Sequence, residues 1–577
     1  MEDSKVKFLW GVATSSYQVE GGISNNDWDY FTSSDPIKKR ISSLTKPSIF
    51  YKGRTQIHLQ PAGEAVKFWE PEYYENDFQL AKNLGMNAFR ISLEWARIQP
   101  KIDQWNQEAI DHYKKMLRSM SNEGLTPIVT LNHFTLPLWV LTPPTSITKN
   151  IVQQILPSPL KDAPIGEPVS TDPYWNSLRG WENHRTVEAF VKFTERMVTE
   201  LKDLVDYWIT INEPVGSVIG VGYIAGLWPP GFFLDGKRAR SALHNLIEAH
   251  VQAYDKITEL DDVDADGDGI SKMVGFGHLM SYVIPAKPND ILSKRIMTIL
   301  RKNNQAAAKN ASYFSNDYFL NAVINGEEDL NYLNTLKIHD KTSRDFIIHD
   351  NWKNKVDFIG LNYYRRLHLY YSIVVGLSSA KFVGGVFKND LNKKGSKQKS
   401  SDSYGVLNDL GWEIYPQGIY EMIMKLKNKY GKPIFVTENG IADKDDKYRA
   451  PYIVAHIQQV KRAIDNGANV IGYLHWSLTD NYEWQESYRP EAKFGLFRID
   501  KDKSNNNGVD NPSHDEDQHS ERHVTKGAEA FKLIIRESVR QNKSEIIADS
   551  AISKAKSEYG ILTADGLTIV NSHENLL

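Results

Sequence analysis

The chain alternates between short apolar runs and longer amphipathic segments, and this alternation constrains its fold more than any other feature. The apolar runs are rich in β-branched and aromatic residues, which is typical of strands, and apolar residues recur at helical spacing in several segments between them. The eight strand candidates are Phe8–Ala13, Asn87–Leu93, Pro127–Asn132, Asp206–Asn212, Met273–His278, Asp357–Asn362, Pro433–Glu438 and Val470–Trp476. The clearest helix candidates are Glu72–Leu84, Gln107–Glu123, Val187–Leu204 and Tyr415–Tyr430. The pattern indicates repeated βα units around a parallel sheet.

Several strand candidates are apolar along nearly their whole length, as in IVTLN at 128–132. Such strands are typical of parallel sheets that are covered on both faces. Eight of them with intervening helices close most simply into a barrel, so we predict the α/β class and a single (β/α)8 TIM barrel with enlarged βα loops. Two doubly wound domains are the competing layout. They would require a linker near the middle of the chain, and no polar stretch cleanly separates two halves.

The 577 residues would suggest about four domains at roughly 150 residues each. Because the barrel elements extend over most of the chain, we instead predict one catalytic barrel domain over residues 1–540. A C-terminal extension of unknown role follows over residues 541–577. Within this extension lies ADSAISKAKSEYG at 548–560, which fits a short helix, a partner contact or a disordered segment.

Composition excludes several classes of protein. Lys and Arg number 69 against 72 Asp and Glu, which leaves a net charge of −3 and no basic field to hold nucleic acid or an anionic membrane. The absence of cysteine excludes disulfides, thiolate metal sites and a cysteine nucleophile. No apolar run approaches the ~18 residues of a membrane span, and the N-terminal segment lacks the apolar core of a signal peptide. We therefore predict a cytoplasmic protein with no nucleic-acid or membrane partner, and leave homo-oligomerisation open.

Two glutamates close separate apolar strands, and each stands beside an asparagine. Glu213 follows Asn212, and Glu438 precedes Asn439. At the carboxyl end of a barrel strand such a side chain points into the site face. Two facing carboxylates are what glycoside cleavage requires, because one protonates the departing oxygen while the other attacks the anomeric carbon or activates water. A salt bridge or a helix cap would explain either glutamate alone, but the two matching positions favour catalysis.

The segments around these glutamates resemble the catalytic motifs of glycoside hydrolase family 1, the retaining β-glycosidases. TINEP at 210–214 is similar to the acid/base motif and VTENG at 436–440 to the nucleophile motif. The likeness extends from Phe8 to about Asp500 and is strongest towards the archaeal branch of the family. Its further segments are FLWGVATSSYQVEG at 8–21, FRISLEWARIQP at 89–100, LNHFTLPLW at 131–139, DFIGLNYY at 357–364, GWEIYP at 411–416 and GYLHWSLTDNYEW at 472–484.

The resemblance implies a role for each matching catalytic residue. Glu438 is expected to be the nucleophile, and Glu213 the general acid and then the general base, at a carboxyl separation of ~5–5.5 Å. Arg90 matches the arginine beside the nucleophile, where its charge lowers the pKa of the carboxylate. Tyr364 matches the tyrosine that hydrogen-bonds the nucleophile, and Asn212 the residue that binds the 2-hydroxyl of the sugar. The anion of Glu438 and partial burial should raise the pKa of Glu213.

The same resemblance implies a set of sugar-binding residues. Hydroxyl-binding positions are matched by Gln18, His133 and Glu483, and Trp484 adds an indole N–H. Trp476 matches the platform beneath the sugar, and Trp412 an aromatic on the aglycone side, at subsite +1. Outside these motifs, His133 and both of the glycone tryptophans would be interpreted as core residues. No metal or cofactor is implied.

Two glutamates also separate branches of the family. Members that act on 6-phosphorylated sugars carry serine at the position of Glu483, and thioglucosidases carry glutamine at the position of Glu213. The chain therefore fits O-glycosides of unphosphorylated sugars. It departs from the family pattern at Phe134, where tryptophan is common, and at Ser487, where glycine is usual within a loop about two residues longer than normal. These departures leave the preference among glucose, galactose and fucose open.

Three further segments have other interpretations. Asp262–Gly269 resembles the start of a calcium loop, but the twelfth position falls on Met273 or Gly275, so we interpret the segment as a solvated acidic turn. The Pro-rich stretch 142–177 is expected to form an aglycone wall or lid, and 504–520 is an insertion without a family counterpart.

We predict a retaining exo-β-glycosidase that releases a terminal β-D-glucosyl, galactosyl or fucosyl residue through a covalent glycosyl-enzyme. Two alternatives remain. A transglycosylase on the same fold would use an acceptor sugar in place of water, and an aromatic +1 residue such as Trp412 favours it. A non-catalytic carbohydrate-binding barrel would need neither Arg90 nor Tyr364 beside the two glutamates.

Overall fold

The protein is represented by a computed structural model. It describes residues 8–35, 37–38, 41, 59–141, 178–286, 294–329, 346–371, 385–387, 405–499, 521–540, 546–562 and 569–570. The predicted loop at 142–177 and the predicted insertion at 504–520 lie outside the described residues.

Eight parallel strands close into a barrel. They are β1 (Leu9–Ala13), β2 (Ala88–Ser92), β3 (Thr126–Asn132), β4 (Tyr207–Asn212), β5 (Met273–Pro285), β6 (Phe358–Tyr371), β7 (Ile434–Asn439) and β8 (Val470–Trp476). Each strand pairs with the next in chain order, and β8 pairs back onto β1. The predicted α/β barrel is therefore confirmed.

Helices alternate with the strands. The longer helices in the described part of the chain are α1 (Pro71–Asn83), α2 (Gln107–Asn122), α3 (His184–Leu201), α4 (Gly236–Leu260), α5 (Lys294–Asn316), α6 (Pro416–Tyr430), α7 (Arg449–Asp465), α8 (Lys526–Arg540) and α9 (Asp549–Tyr559). The four helices with predicted bounds agree with them to within three residues at each end. A π-helix of 11 residues, Pro214–Ile224, follows β4. Short helices are Ser16–Val19, Asp27–Ser33, Trp95–Ile98, Gly180–Glu182, Tyr318–Leu320, Asn321–Asn325, Asp350–Trp352, Trp484–Glu486 and Pro490–Ala492.

Short strands outside the barrel pair locally. Gly385–Phe387 pairs with the end of β6. The other pairs are Glu327–Glu328 with Ile347–Ile348, Phe497–Ile499 with Arg522–Val524, and Ile561–Leu562 with Ile569–Val570.

Side chains from all eight strands fill the barrel, which is therefore a packed core rather than a channel. One buried cluster unites Leu9, Ala88, Ile128, Ile209, Phe358, Phe435 and Leu474, and Met273 of β5 packs against it. The seam between β8 and β1 is covered by α8, whose Phe531 ring lies 5.9 Å from Trp10 and 5.8 Å from Tyr473. The site face is built on this rigid scaffold.

Two strands run beyond their predicted ends. β5 was expected to end at His278 and β6 at Asn362, but they continue as a parallel ribbon that pairs Tyr282 with Arg366 and Pro285 with Leu369. The helix α5 packs against both strands and places small residues around Leu369. The extension depends on this tertiary cover, which local periodicity does not specify.

The end of the described chain packs onto the barrel helices. α9 contacts both α7 and α8, and it buries Ala551, Ile552 and Ala555. A Lys461–Asp549 ion pair of 3.2 Å joins its first turn to α7. No helix in the described ranges has the length and apolar character needed to cross a bilayer.

Candidate active site

Glu213 and Glu438 belong to one buried cluster of hydrogen bonds. Asn362 donates from Nδ2 to Oε1 of Glu213 over 2.9 Å and also to Oδ1 of Asn212 over 3.2 Å. The same Asn212 oxygen accepts from Nη2 of Arg90 over 2.9 Å, and Nη1 of Arg90 donates to Oε1 of Glu438 over 2.8 Å. The glutamates are 5% and 3% exposed, so their charges interact with little screening by solvent.

Glu438 is held at both of its carboxylate oxygens. Besides the Arg90 ion pair at Oε1, the Tyr364 hydroxyl donates to Oε2 over 2.7 Å. Burial raises the pKa of Glu438 above its ordinary value, and the Arg90 guanidinium and the Tyr364 hydroxyl oppose that shift. Arg90 is fully buried and is itself oriented by Thr130, whose Oγ1 accepts from Nε over 2.9 Å. The carboxylate therefore has a fixed position and a directly paired cation.

Glu213 has a different environment. It directly follows β4 in a left-handed backbone conformation with φ of 45°, at the start of the helix Pro214–Ile224. Burial, and next the charge of Glu438, raise the pKa of Glu213 to about 7, whereas hydrogen bonds from Ser217 and Asn362 oppose the rise. A carboxyl group with that pKa is present in both protonation states near neutral pH.

Asn212 connects this cluster to His133. Nδ2 of Asn212 lies 3.0 Å from Nε2 of His133 and can donate to it. Burial, and next the charge of Arg90, hold the pKa of His133 well below its usual range, so the ring is neutral. Nδ1 then carries the ring hydrogen, and it is buried without a partner among the described residues. A Cβ atom on Gly277 would lie 2.3 Å from Oδ1 of Asn212, so only glycine leaves room for this arrangement.

A second group of predicted residues surrounds Glu483. Nε2 of Gln18 lies 3.3 Å from Oε2 of Glu483 and donates to the Tyr482 carbonyl over 2.6 Å. Oε1 of Gln18 is buried without a partner among the described residues. Burial raises the pKa of Glu483 to about 8, and a hydrogen bond with Trp476 opposes the rise. The Trp476 ring lies 5.9 Å from that of His133, which joins this group to the Asn212 cluster.

Trp412 and Trp484 occupy different settings. Trp412 is half-buried, 5.9 Å from the Tyr364 ring, and the Arg365 guanidinium lies 4.5 Å over its face. Trp484 is 4% exposed and packs 4.5 Å from Trp28 and 4.9 Å from Phe134. Trp412 therefore lies beside Tyr364, which contacts Glu438. Trp484 instead packs within a buried group of aromatic rings that includes Trp28 and Phe134.

The loop after Trp484 contains Ser487, one of the predicted departures from the family pattern. Ser487 has φ of 56° and ψ of −131°, a conformation that favours glycine, and its backbone exchanges hydrogen bonds with Glu483. In the same loop, the side-chain oxygen of Gln485 accepts a hydrogen bond from the indole N–H of Trp228. Glu486 pairs with Arg489 over 2.7 Å. The longer loop is thus anchored directly to the backbone of Glu483.

The sequence did not single out three polar residues of this cluster for a role. Asn362 lies within a quoted motif, but its hydrogen bond to Glu213 was not anticipated. Thr437 donates from Oγ1 to Oδ1 of Asn362 over 2.7 Å and so fixes the amide. Ser217 donates from Oγ to Oε2 of Glu213. Glu213 lies outside the π-helix Pro214–Ile224 that contains Ser217, so no regular spacing in the sequence pointed to this contact.

The acidic segment at 262–269 lies apart from these residues. Oδ1 of Asp264 accepts from the backbone of Gly267 over 2.8 Å, and the buried Asp206 accepts from Ala265 over 2.8 Å. Ligand atoms of Asp206, Asp264 and Asp266 lie within 4.8 Å of one another. Backbone N–H groups thus occupy these carboxylates, as is typical of an acidic turn.

Comparisons with known proteins show what this chain is similar to. The chain matches glycosyl hydrolase family 1 over residues 3–143 and 176–515. The β-galactosidase of Pyrococcus woesei is 30% identical over 536 residues, which cover 85% of this chain and 92% of that relative. β-Glucosidase A of Acetivibrio thermocellus is 28% identical over 519 residues, covering 86% and 93%. The solved β-glycosidase from Pyrococcus horikoshii superposes with a TM-score of 0.64 at 26% identity, covering 96% of this chain and 97% of that one.

The fold and these comparisons define the class of protein: the chain is a glycoside hydrolase on a (β/α)8 barrel. It belongs to glycosyl hydrolase family 1, as its motifs predict. Its relatives include an archaeal β-galactosidase, in keeping with the predicted likeness to the archaeal branch.

Proposed function

We propose that the protein is a retaining exo-β-glycosidase that works by double displacement. The observation that carries this proposal is the unequal environment of its two buried glutamates. Glu438 is paired directly with Arg90, whereas Glu213 contacts no cation in the described hydrogen bonds and has a pKa near 7. One carboxylate is thus suited to attack and the other to proton transfer. The predicted carboxyl separation of ~5–5.5 Å stays a prediction.

In the first step, Glu438 attacks the anomeric carbon as the glycosidic bond breaks. The proton of Glu213 passes to the departing oxygen, so the aglycone leaves as a neutral alcohol. An ester bond then joins the sugar to Glu438. Arg90 and Tyr364 hold the attacking oxygens in place, so little reorganisation is needed on the way to the transition state.

In the second step, water replaces the enzyme at the anomeric carbon. Esterification removes the negative charge of Glu438, which is the second-largest cause of the raised pKa of Glu213. The pKa of Glu213 therefore falls, and its carboxylate accepts a proton from the attacking water. The ester bond breaks, Glu438 is released as a carboxylate, and the sugar leaves with its β configuration retained.

The unpaired polar atoms suit a sugar in the glycone subsite. Oε1 of Gln18 and Nδ1 of His133 are a buried acceptor and a buried donor without described partners, and sugar hydroxyls supply both complements. Glu483 adds a carboxyl group at the position where, by the resemblance, members that act on 6-phosphorylated sugars carry serine. We therefore propose unphosphorylated β-D-glucosides, galactosides or fucosides as substrates, and β-glucosidase and β-galactosidase relatives support the first two.

A panel of nitrophenyl β-glycosides with three variants tests this proposal. Glu438→Ala should lose turnover of every substrate, because no group remains to form the ester. Glu213→Ala should lose much more glycosylation rate on substrates with poor leaving groups than on those with good ones. Glu108→Ala, at an exposed position of α2, is a control for the assay. Turnover that survived Glu438→Ala, or equal losses across leaving groups for Glu213→Ala, would reject the assigned roles.

Transglycosylation is a second candidate because Trp412 lies beside Tyr364 and can stack an acceptor sugar. The ratio of transfer product to free sugar at high acceptor concentration measures it. A fall in that ratio for Trp412→Ala, with hydrolysis retained, would support an acceptor site, whereas an unchanged ratio would reject one. If the protein were a non-catalytic carbohydrate-binding barrel, the wild type would hydrolyse none of the nitrophenyl glycosides.

A further inference from the structure

The two carboxyl oxygens of Glu213 have chemically different partners. Oε1 faces the Asn362 amide nitrogen at 2.9 Å, and that amide is oriented by the hydroxyl of Thr437 on its other side. Oε2 faces the hydroxyl of Ser217, the residue four positions along the following helix. Ser217 is 4% exposed, and Glu213 Oε2 is the described partner of its side chain.

This difference sets how each partner can respond to the protonation state of Glu213. An amide nitrogen only donates hydrogen bonds, so Asn362 always directs a hydrogen at Oε1. A hydroxyl both donates and accepts, so Ser217 can rotate to suit either form of Oε2. Each carboxyl oxygen has two lone pairs, so each keeps a second one for the reacting proton.

We propose that Ser217 is a positioning residue for proton transfer, which orients the carboxyl group of Glu213 through Oε2 and stabilises its charged form. The inference rests on the proposed acid/base role of Glu213. In the first step the proton leaves Glu213 for the glycosidic oxygen, and the Ser217 hydroxyl stabilises the carboxylate that forms. In the second step a proton from water binds the same carboxyl group. Ser217 keeps its own proton throughout, so it takes no part in the bond changes.

The hydrogen bond from Ser217 also opposes the burial-driven rise in the pKa of Glu213. A donor to the charged form favours that form, so loss of the hydroxyl should raise the pKa further. The consequence differs between the two steps. The acid form would persist to higher pH in the first step, and the base form needed for the second step would be depleted.

The test is the pH dependence of Ser217→Ala with an aryl β-glycoside that has a poor leaving group. We expect the alkaline limb of the kcat/KM profile to move to higher pH by about one unit. Loss of a hydrogen bond to a charged group raises the pKa of that group by roughly this amount. For a substrate with a good leaving group, whose turnover is limited by the second step, kcat below neutral pH should fall about 10-fold. Ser217→Thr keeps the hydroxyl and should restore both. An unmoved alkaline limb with an unchanged Tm would overturn the proposal.

A double variant separates this inference from the proposed function. In a Glu213→Ala background, Ser217→Ala should change neither rate, because no carboxyl remains to be positioned. A further loss there would show that Ser217 acts through packing, and would reject the inference while leaving the role of Glu213 intact. If Glu213→Ala alone retained the full rate on poor leaving groups, the proposed function itself would fail.

Discussion

At the residue scale, the site buries two carboxyl groups and surrounds each with different hydrogen-bond partners. Arg90 and Tyr364 bind the buried carboxylate of Glu438 directly. Glu213 accepts its described hydrogen bonds from the neutral donors Asn362 and Ser217, and the charge of Arg90 acts on it without a direct contact. Buried charges without a paired cation favour their neutral form. This asymmetry follows from side chains on different strands and is independent of the sugar.

The hydrogen bond from Tyr364 to Glu438 gives the first prediction. Tyr364→Phe removes a donor 2.7 Å from Oε2, and hydrogen bonds to charged groups are worth about 1.5–3 kcal/mol, so kcat/KM should fall roughly 10- to 150-fold. Tyr363→Phe is the matched control, because its hydroxyl donates to the Tyr415 carbonyl instead. Equal kcat/KM losses for the two variants would contradict the assigned contact.

The raised pKa of Glu213 gives the second prediction. The proposed first step needs the protonated form of Glu213, and the pKa of Glu213 is about 7. For substrates with poor leaving groups, kcat/KM should therefore decline as the pH rises through about 7. The pH–rate profile of the wild type measures this. A limb near the ordinary glutamate value of about 4.3 would contradict the environment described for this group.

The principal site residues could be predicted from the sequence because they lie in motifs at strand ends. The contributions of Ser217 and Asn362 could not, because they depend on side-chain directions that the motifs do not encode. The left-handed backbone of Glu213 and the helix that follows it turn Ser217 towards the carboxyl group. In the sequence, Ser217 stands among small and apolar residues, and nothing nearby indicates the hydrogen-bond partner of its hydroxyl.

At the element scale, the ends of neighbouring strands set the spacing of the site. β4 ends at Asn212, and its register places Gly277 of β5 directly beside it. The missing side chain at Gly277 leaves the space that the Asn212 amide occupies. A single position on one strand thus controls a side chain on the next.

Gly277→Ala tests this arrangement. The added Cβ would lie 2.3 Å from Oδ1 of Asn212, so the amide must move and its contact with Arg90 must break. A displacement of this size should lower kcat/KM about 100-fold with the fold retained. Gly220→Ala is the control, because its Cβ would meet its nearest atom at an ordinary 3.4 Å. Wild-type kinetics for Gly277→Ala would contradict the packing described.

Strand positions were largely predictable, whereas the lengths of β5 and β6 were not. β8 matches its prediction because Val470–Trp476 is an apolar run bounded by polar or turn residues. β5 and β6 extend past the barrel because α5 covers them, and a helix elsewhere in the chain cannot be inferred from the periodicity of a strand. The same holds for the contact of Ser487 with Glu483, which depends on loop geometry.

At the scale of the whole molecule, the last described helix is packed rather than free. The sequence left three possibilities for residues 548–560, and α9 lies against α7 and α8 with Ile552 4% exposed. The boundary of the catalytic domain at residue 540 stays a prediction. We propose that α9 stabilises the barrel helices without taking part in the chemistry.

Ile552→Ala tests that proposal. Truncating a buried isoleucine costs about 2–5 kcal/mol, so the free energy of unfolding should fall by that amount in denaturant titrations. The kcat/KM of the folded variant should stay at the wild-type value. Ser553→Ala, at an exposed position of the same helix, should change neither quantity. Unchanged stability for Ile552→Ala would show that α9 contributes no packing energy.

Under the proposed mechanism, Glu438 forms a covalent bond to the sugar. Incubation of the protein with a 2-deoxy-2-fluoro-β-glycoside that has a good leaving group, followed by intact mass and peptide mapping, detects this bond. We predict a mass increase of one fluorosugar, located on the peptide that contains Glu438 and absent from Glu438→Ala. Turnover of ordinary substrates without such an adduct, or an adduct on a different residue, would contradict the proposed mechanism.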